Sequence, residues 1–337
     1  MLFLQDLRRK NPVRARELLV STWKEESPEE RGRFIAVFEI GLTAEDEIFL
    51  EAALDDKRKE VRRTAAVLLG QIPDSYLVRR MIDRTKPLLK YVAGEAGKML
   101  KLKKAKPASI EITLPAECDK AMQRDGIEPK PQQGTGEKAW WLIQMLESVP
   151  LNTWTTEWQA TPAEILAGSL NSEWKDELFE AWMRATARQK NGQWAEVLFS
   201  AALEGKRPDK LEGILAAMSS NQREMKISEL LKETKVREHH GTLVLQSGQQ
   251  WSPEFSRTVL AWLKQLSAEP SGDWVLRNQL KDFAPRLAPS VLPETFNGWP
   301  AESKGWEFWS KGVDEFLAMA QFRADLHTAF TLPINKP

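Results

Sequence analysis

One cysteine, two tyrosines and three histidines are spread through 337 residues, and 48 Lys/Arg balance 48 Asp/Glu to zero net charge. Each shortage excludes something. Cys118 alone can make neither an intramolecular disulfide nor a cysteine-rich metal site, which fits a reducing compartment. The few histidines show no H-E-x-x-H spacing, and no C-x-x-C occurs, so no metal or cofactor is expected. No apolar run nears the roughly 18 residues that read as a membrane span. The start, Met1-Leu2-Phe3-Leu4-Gln5-Asp6, has no basic region ahead of a sustained apolar one, so it does not read as a signal peptide. The chain is expected to be soluble and cytoplasmic.

What is present is helical punctuation. Asn11-Pro12, Ser27-Pro28-Glu29-Glu30, Thr161-Pro162-Ala163-Glu164 and Ser252-Pro253-Glu254 place a capping side chain before a proline at the first helical position. Ser27 with Glu30, and Thr161 with Glu164, make capping boxes, and Thr43 to Asp46 is a weaker version. Between these starts apolar residues recur at steps of three and four, as in Leu18, Leu19 and Trp23, then Phe34, Ile35 and Phe38. The pattern predicts an all-α chain of short helices. Near the end, Trp306, Trp309, Val313, Phe316 and Ala320 form a 3-4-3-4 seam broken by Arg323.

Three regions are expected: a basic helical half over 1–106, an irregular insertion over 107–136 rich in proline and glycine, and a tryptophan-rich half over 137–337. Ser109 to Leu114 alternates as a strand would, and Thr242 to Leu245 is the other strand-like run. The two are predicted to pair as a small two-stranded ribbon.

Ile48 to Pro73 reads as two helices around an acidic turn, Asp55-Asp56, with Val61, Ala65, Leu68, Leu69 and Ile72 on one face of the second. This segment resembles a HEAT repeat. The resemblance implies a solenoid in which Asp56 and Arg62 form a ladder between neighbouring units. More of the chain carries a second resemblance. The residues are D-D-K-R-K-E-V-R-R-T-A-A at Asp55, P-A-E-C-D-K-A-M-Q-R-D-G-I at Pro115, G-E-K-A-W-W-L-I-Q-M-L-E-S-V-P at Gly136 and W-S-P-E-F-S-R-T-V-L at Trp251. Together they resemble a bacterial family of unknown function with HEAT-like helices. Its members are encoded beside a MoxR-type AAA ATPase, a von Willebrand A-domain protein and a SWIM zinc-finger protein, which implies work in a multiprotein assembly. No activity follows from it.

Charge is uneven along the chain. Residues 57–106 hold 15 Lys/Arg against 4 Asp/Glu, and the balance is +6 up to residue 106 and −6 after it. Arg58, Arg62, Arg63, Arg79, Arg80, Arg84 and Lys86 are candidate contacts for a phosphate backbone, the plain alternative being a solvated or internally paired face. Arg124-Asp125-Gly126 reads as a turn with Gly126 at positive φ, and Arg124 and Asp125 join the candidate interaction surface. Thirteen of the 14 tryptophans lie at or beyond Trp140, and they are read as core before stacking platforms. Gln133 to Lys138 lacks the spacing of a phosphate loop. Cys118 with His239-His240 would make a nucleophile and base only if the fold joined them, and the histidines are expected exposed. The leading expectation is a non-enzymatic scaffold for protein partners. The second is a nucleic-acid-binding helical-repeat protein, with a DNA glycosylase as its remote form.

Overall fold

The computed structural model describes residues 1–94, 106–131, 134–205, 207–232, 240–270 and 274–331. It is mostly helical, with one small antiparallel sheet. The chain forms two compact units, Met1–Leu198 and Phe199–Pro337. The helices are α1 (Leu2–Lys10), α2 (Pro12–Thr22), α3 (Pro28–Ala36), α4 (Glu47–Ala53), α5 (Lys59–Leu69), α6 (Tyr76–Thr85), α7 (Lys120–Arg124), α8 (Glu137–Leu146), α9 (Leu151–Trp158), α10 (Pro162–Ser169), α11 (Lys175–Gln189) and α12 (Gly192–Glu204). They continue with α13 (Pro208–Ala216), α14 (Ser220–Lys232), α15 (His240–Gln246), α16 (Pro253–Ser267), α17 (Trp274–Gln279) and α18 (Trp306–Thr331). The division falls inside α12, and residues 107–136 lie within the first unit.

The expected caps are made. Asn11 accepts from the Arg14 amide at 3.0 Å, and Ser252 from that of Phe255 at 3.1 Å. Ser27–Glu30 and Thr161–Glu164 close both arms of their capping boxes. Such a cap supplies about 1 kcal/mol by satisfying amides that the helix leaves orphaned. In the first unit α4 and α5 pack as a pair, with Val61, Ala65, Leu68, Leu69 and Ile72 all buried.

The ribbon exists, but with a different partner. β2 (Ser109–Ile112) pairs with β1 (Leu89–Val92), in the register Leu89 with Ile112 and Tyr91 with Ile110. Lys90 and Glu111 stand directly opposite and form an ion pair at 3.2 Å. Gly168 of α10 leaves room for the ring of Tyr91, which stacks on Trp158 at 5.5 Å. The other predicted strand, Thr242 to Leu245, lies inside α15. Its burial falls on His240, Gly241, Leu243, Val244 and Ser247, a helical period, and Gly241 brings the helix against Leu276. A four-residue apolar run fits either structure, and packing decides it.

In the second unit α14 packs on α15 and α16, and α17 on α18. Four of the five seam positions are core: Trp309, Val313, Phe316 and Ala320 are fully buried, while Trp306 at the start of the helix is half-buried. It ends where Arg323 donates to the carbonyls of Ala284 at 2.6 Å and Leu287 at 2.8 Å. Among the described residues no helix is long and apolar enough to cross a membrane.

Candidate functional site

The insertion docks on the first unit through the Arg124-Asp125-Gly126 turn. Asp119 caps α7 by accepting from the Met122 amide at 2.7 Å. Gly126 follows at φ +85°, as expected, and its α-carbon passes so close to α5 that an added Cβ would lie 2.5 Å from Ala66 Cβ. Only glycine fits both demands. The turn drives Asp125, 2% exposed, into α6. Its carboxylate receives Arg80 Nη2 at 2.7 Å and Nε at 3.0 Å, and Arg84 Nη1 at 2.6 Å. Arg124 reaches the other way to α4, donating to Asp55 at 2.7 Å and Glu51 at 3.0 Å. Glu51 also receives Arg80 at 2.8 Å.

These pairs move their groups away from neutrality. The hydrogen bond from Arg124 holds Asp55 below the usual carboxylate range, and Asp55, then Glu51, hold Arg124 above its ordinary value. Burial alone would lower Arg80, but Asp125 and Glu51 together raise it. Asp55, Arg124 and Arg80 thus form a clamp in which each charge favours the charged form of its partners.

A second cluster was not read from the sequence. Arg8 and Asp46 are both fully buried and bond at 2.9 and 3.1 Å. Arg8 also donates to the carbonyls of Ile40, Pro12, Gly41 and Phe38, and Arg16 reaches Asp46 at 2.9 Å. Burial pushes the Asp46 carboxyl up, yet the hydrogen bonds from Arg8, Arg16 and the Thr43 amide leave it lowered. The available signal was an arginine four residues after Leu4 on the buried face of α1.

The remaining predicted residues are dispersed. Asp56 gives its carboxylate to the Arg58 amide at 2.8 Å and to Arg31 at 2.9 Å. Arg62 donates to the backbone carbonyls of Asp56 and Lys57 at 2.8 and 3.0 Å, and to no carboxylate among the described residues. The Asp56 carboxylate thus meets Arg31 of α3, while Arg62 holds the backbone of the same turn. Arg58 pairs with Glu29, Lys86 with Glu157, and Arg63 with Glu128 at the longer distance of 3.5 Å. Arg79 lies exposed beside the Tyr76 ring.

Seven of the 14 tryptophans are buried in the core, with Trp154, Trp182, Trp194 and Trp309 the largest fully buried side chains, six are half-buried, and Trp274 is exposed. Trp141 finds the Pro129 carbonyl at 2.9 Å and Trp299 that of Thr295 at 2.7 Å. The indole N–H groups of Trp154, Trp182, Trp251 and Trp309 have no acceptor among the described residues. Burying so large a ring outweighs one unmade bond of about 1–3 kcal/mol. Cys118 lies in the first unit, and burial pushes its thiol up. His240 lies in the second and is buried, against expectation, while His239 is outside the described residues. No group of acids, histidines and cysteine that could hold a metal is present among the described residues.

Below the clamp a cleft of about 330 Å³ opens between α5, α6, α8 and α11, with Asp125, Gly126 and Ile127 on one wall. Arg188 and Arg184 of α11 both turn toward Glu147, at 3.0 and 3.5 Å. The Arg184 guanidinium lies 5.6 Å from the centre of the Trp140 ring. The arrangement can bind, and it holds no nucleophile paired to a base.

DUF5691, a family of unknown function, matches residues 1–330. The chain belongs to that family. No curated protein and no solved structure matches it. The DUF5691 match runs through both units, so clamp, cleft and seam all lie within the family's extent.

Proposed function

We propose that this DUF5691 chain is a non-enzymatic cytoplasmic scaffold of HEAT-like helices that docks other proteins. The observation that carries this reading is a second stripe on α18. Met319, Phe322, Leu326 and Phe330 recur at steps of three and four, roughly 100° around the helix from the buried seam. Phe322 is 59% exposed and Phe330 84%. An exposed aromatic row at this spacing suits an amphipathic helix of a partner. The α4–α5 pair with its Asp56 turn supports the HEAT-like reading. Candidate partners are the MoxR-type AAA ATPase, the von Willebrand A-domain protein and the SWIM zinc-finger protein of the resembling gene neighbourhoods.

The nucleic-acid reading is weaker because Arg58, Arg80, Arg84, Lys86 and Arg124 already face carboxylates. A phosphate backbone would have to displace those carboxylates before it gained counterion-release energy. A base-excising enzyme would need a free carboxylate beside an aromatic cleft, and Glu147 beside Trp140 is held by two arginines.

The test is affinity capture from the native cell with the wild-type chain and with Phe322→Glu, alongside a salt-titrated nucleic-acid binding assay. Recovery of those neighbours, lost in Phe322→Glu while the fold is kept, supports the scaffold. Micromolar nucleic-acid binding with a steep salt slope, unaffected by Phe322→Glu and lost on neutralising Arg62, Arg63, Arg79 and Arg80, overturns it.

A further inference from the structure

The cleft of the first unit holds two arginines that its carboxylates do not saturate. A structural arginine in this unit looks like Arg8, whose guanidinium meets four carbonyls and Asp46. The guanidinium of Arg63, on the α5 side, makes no hydrogen bond among the described residues. Its ionic partner is Glu128 at 3.5 Å, and its side chain is 57% exposed. Arg184, on the α11 side, is tied through Nε to Glu180 at 2.8 Å, while Nη1 reaches Glu147 only at 3.5 Å. Each therefore keeps part of a fork of five donors whose geometry matches a carboxylate. Both line the same cleft, together with Val67, Met81 and Trp140, which supply apolar surface.

The geometry points to a binding site for a monocarboxylate on a small apolar body, its carboxylate held by Arg63 and Arg184 and its body against Val67 and Trp140. The size follows from the volume. About 330 Å³ is the space of roughly ten waters at ~30 Å³ each, which suits a ligand of about a dozen non-hydrogen atoms. The charge follows from the neighbours. Glu128, Glu147 and Glu180 already lie against these arginines, so a dianion such as phosphate would meet about twice the like-charge repulsion that a single carboxylate meets. A free acid and the end of a polypeptide chain share this chemistry. The inference stands independently of the scaffold reading.

The experiment is calorimetric titration of the full chain with phenylacetate and with N-acetyl-Ala-Phe, each against its neutral amide. Binding of either acid, absent for its amide and weakened at least tenfold in Arg63→Ala and in Arg184→Ala, supports the site. Binding of phenylacetate alone marks a small-molecule pocket, and binding of the peptide marks a chain-end pocket. Arg63 is exposed, so Arg63→Ala decides the matter should Arg184→Ala unfold, and Arg184→Lys keeps the charge while removing the fork. Failure of both acids to bind, equal binding of the amides, or unchanged affinity in Arg63→Ala overturns the proposal.

Discussion

In Met1–Leu198 the buried carboxylates Asp46 and Asp125 each sit among two or more arginines, whereas in Phe199–Pro337 the longest helix buries Trp309, Val313, Phe316 and Ala320 with Arg323 at the end of the row. Both units use the same helix starts. They differ in what fills the space between helices. An ionic lattice is directional and fixes geometry, but its partners must stay charged and matched. An apolar seam is tolerant of pH and sensitive to volume. The difference also reinterprets the charge. Cut at residue 106 the chain divides into +6 and −6, but cut at the boundary of the units it does not. Met1–Leu198 holds 31 basic and 31 acidic residues, and Phe199–Pro337 holds 17 of each. The excess of base in 57–106 is matched within its own unit by acids that arrive later in sequence, among them Asp125, Glu128 and Glu157.

The contrast can be broken most forcefully at the seam. Trp309→Ala should cost about 3–5 kcal/mol, with amide protection falling in α16–α18 and unchanged in α4–α6. Equal loss in both units would erase the distinction. Asp46→Asn attacks the other side by leaving Arg8 buried without its ion partner. A loss of about 3–5 kcal/mol is expected by urea unfolding, with protection falling in α1 and α4 first. The same variant sharpens the pH argument. The Asp46 carboxyl is lowered in the folded chain, so its stabilisation is complete above the unfolded value of about 3.9. It is lost as pH falls through the folded value. Wild-type stability should therefore drop below about pH 4, and the drop should be shallower in Asp46→Asn. An identical acid limb in the two proteins would remove Asp46 from that account. Gly126→Ala should cost about 1–3 kcal/mol, through the strained φ and the collision with Ala66, and should loosen the insertion as read by exchange at Met122 and Ile127. The smallest effect belongs to Arg62→Ala, about 1 kcal/mol for two bonds to turn carbonyls, and a much larger loss would restore the ladder reading.

Local chemistry made much of the fold legible. Ser27, Thr161 and Ser252 announce helix starts because a cap is completed within three residues. The α18 seam and the α5 face were readable because burial follows the helical period. Gly126 was readable because a turn that needs positive φ selects glycine. The ribbon was half legible: Ser109 to Ile112 carries its own alternation, but Leu89 to Val92 follows Lys86-Pro87 with a mixed pattern, and strand pairing is a long-range choice. The candidate site was less legible. Arg80, Arg84, Arg124 and Asp125 each read as surface contacts, yet Arg80 and Arg84 meet Asp125 across more than 40 residues of chain, and Arg124 meets Asp55 across 69. Arg8 is, in sequence, one charge in the basic run that ends α1.

The sequence by itself determined that this chain is built of short capped helices, that Trp309, Val313, Phe316 and Ala320 face inward, and that Gly126 turns the chain. Those outcomes depend on hydrogen bonds and burial within a few residues, where spacing is the whole of the information. Only the tertiary structure decided which strand pairs with β2, where one unit ends and the next begins, and whether an arginine is a free contact or the partner of a buried carboxylate. Those outcomes depend on which distant groups share a low-dielectric space. A charge in sequence is the same charge in either place, and its energy is set by its neighbours in three dimensions.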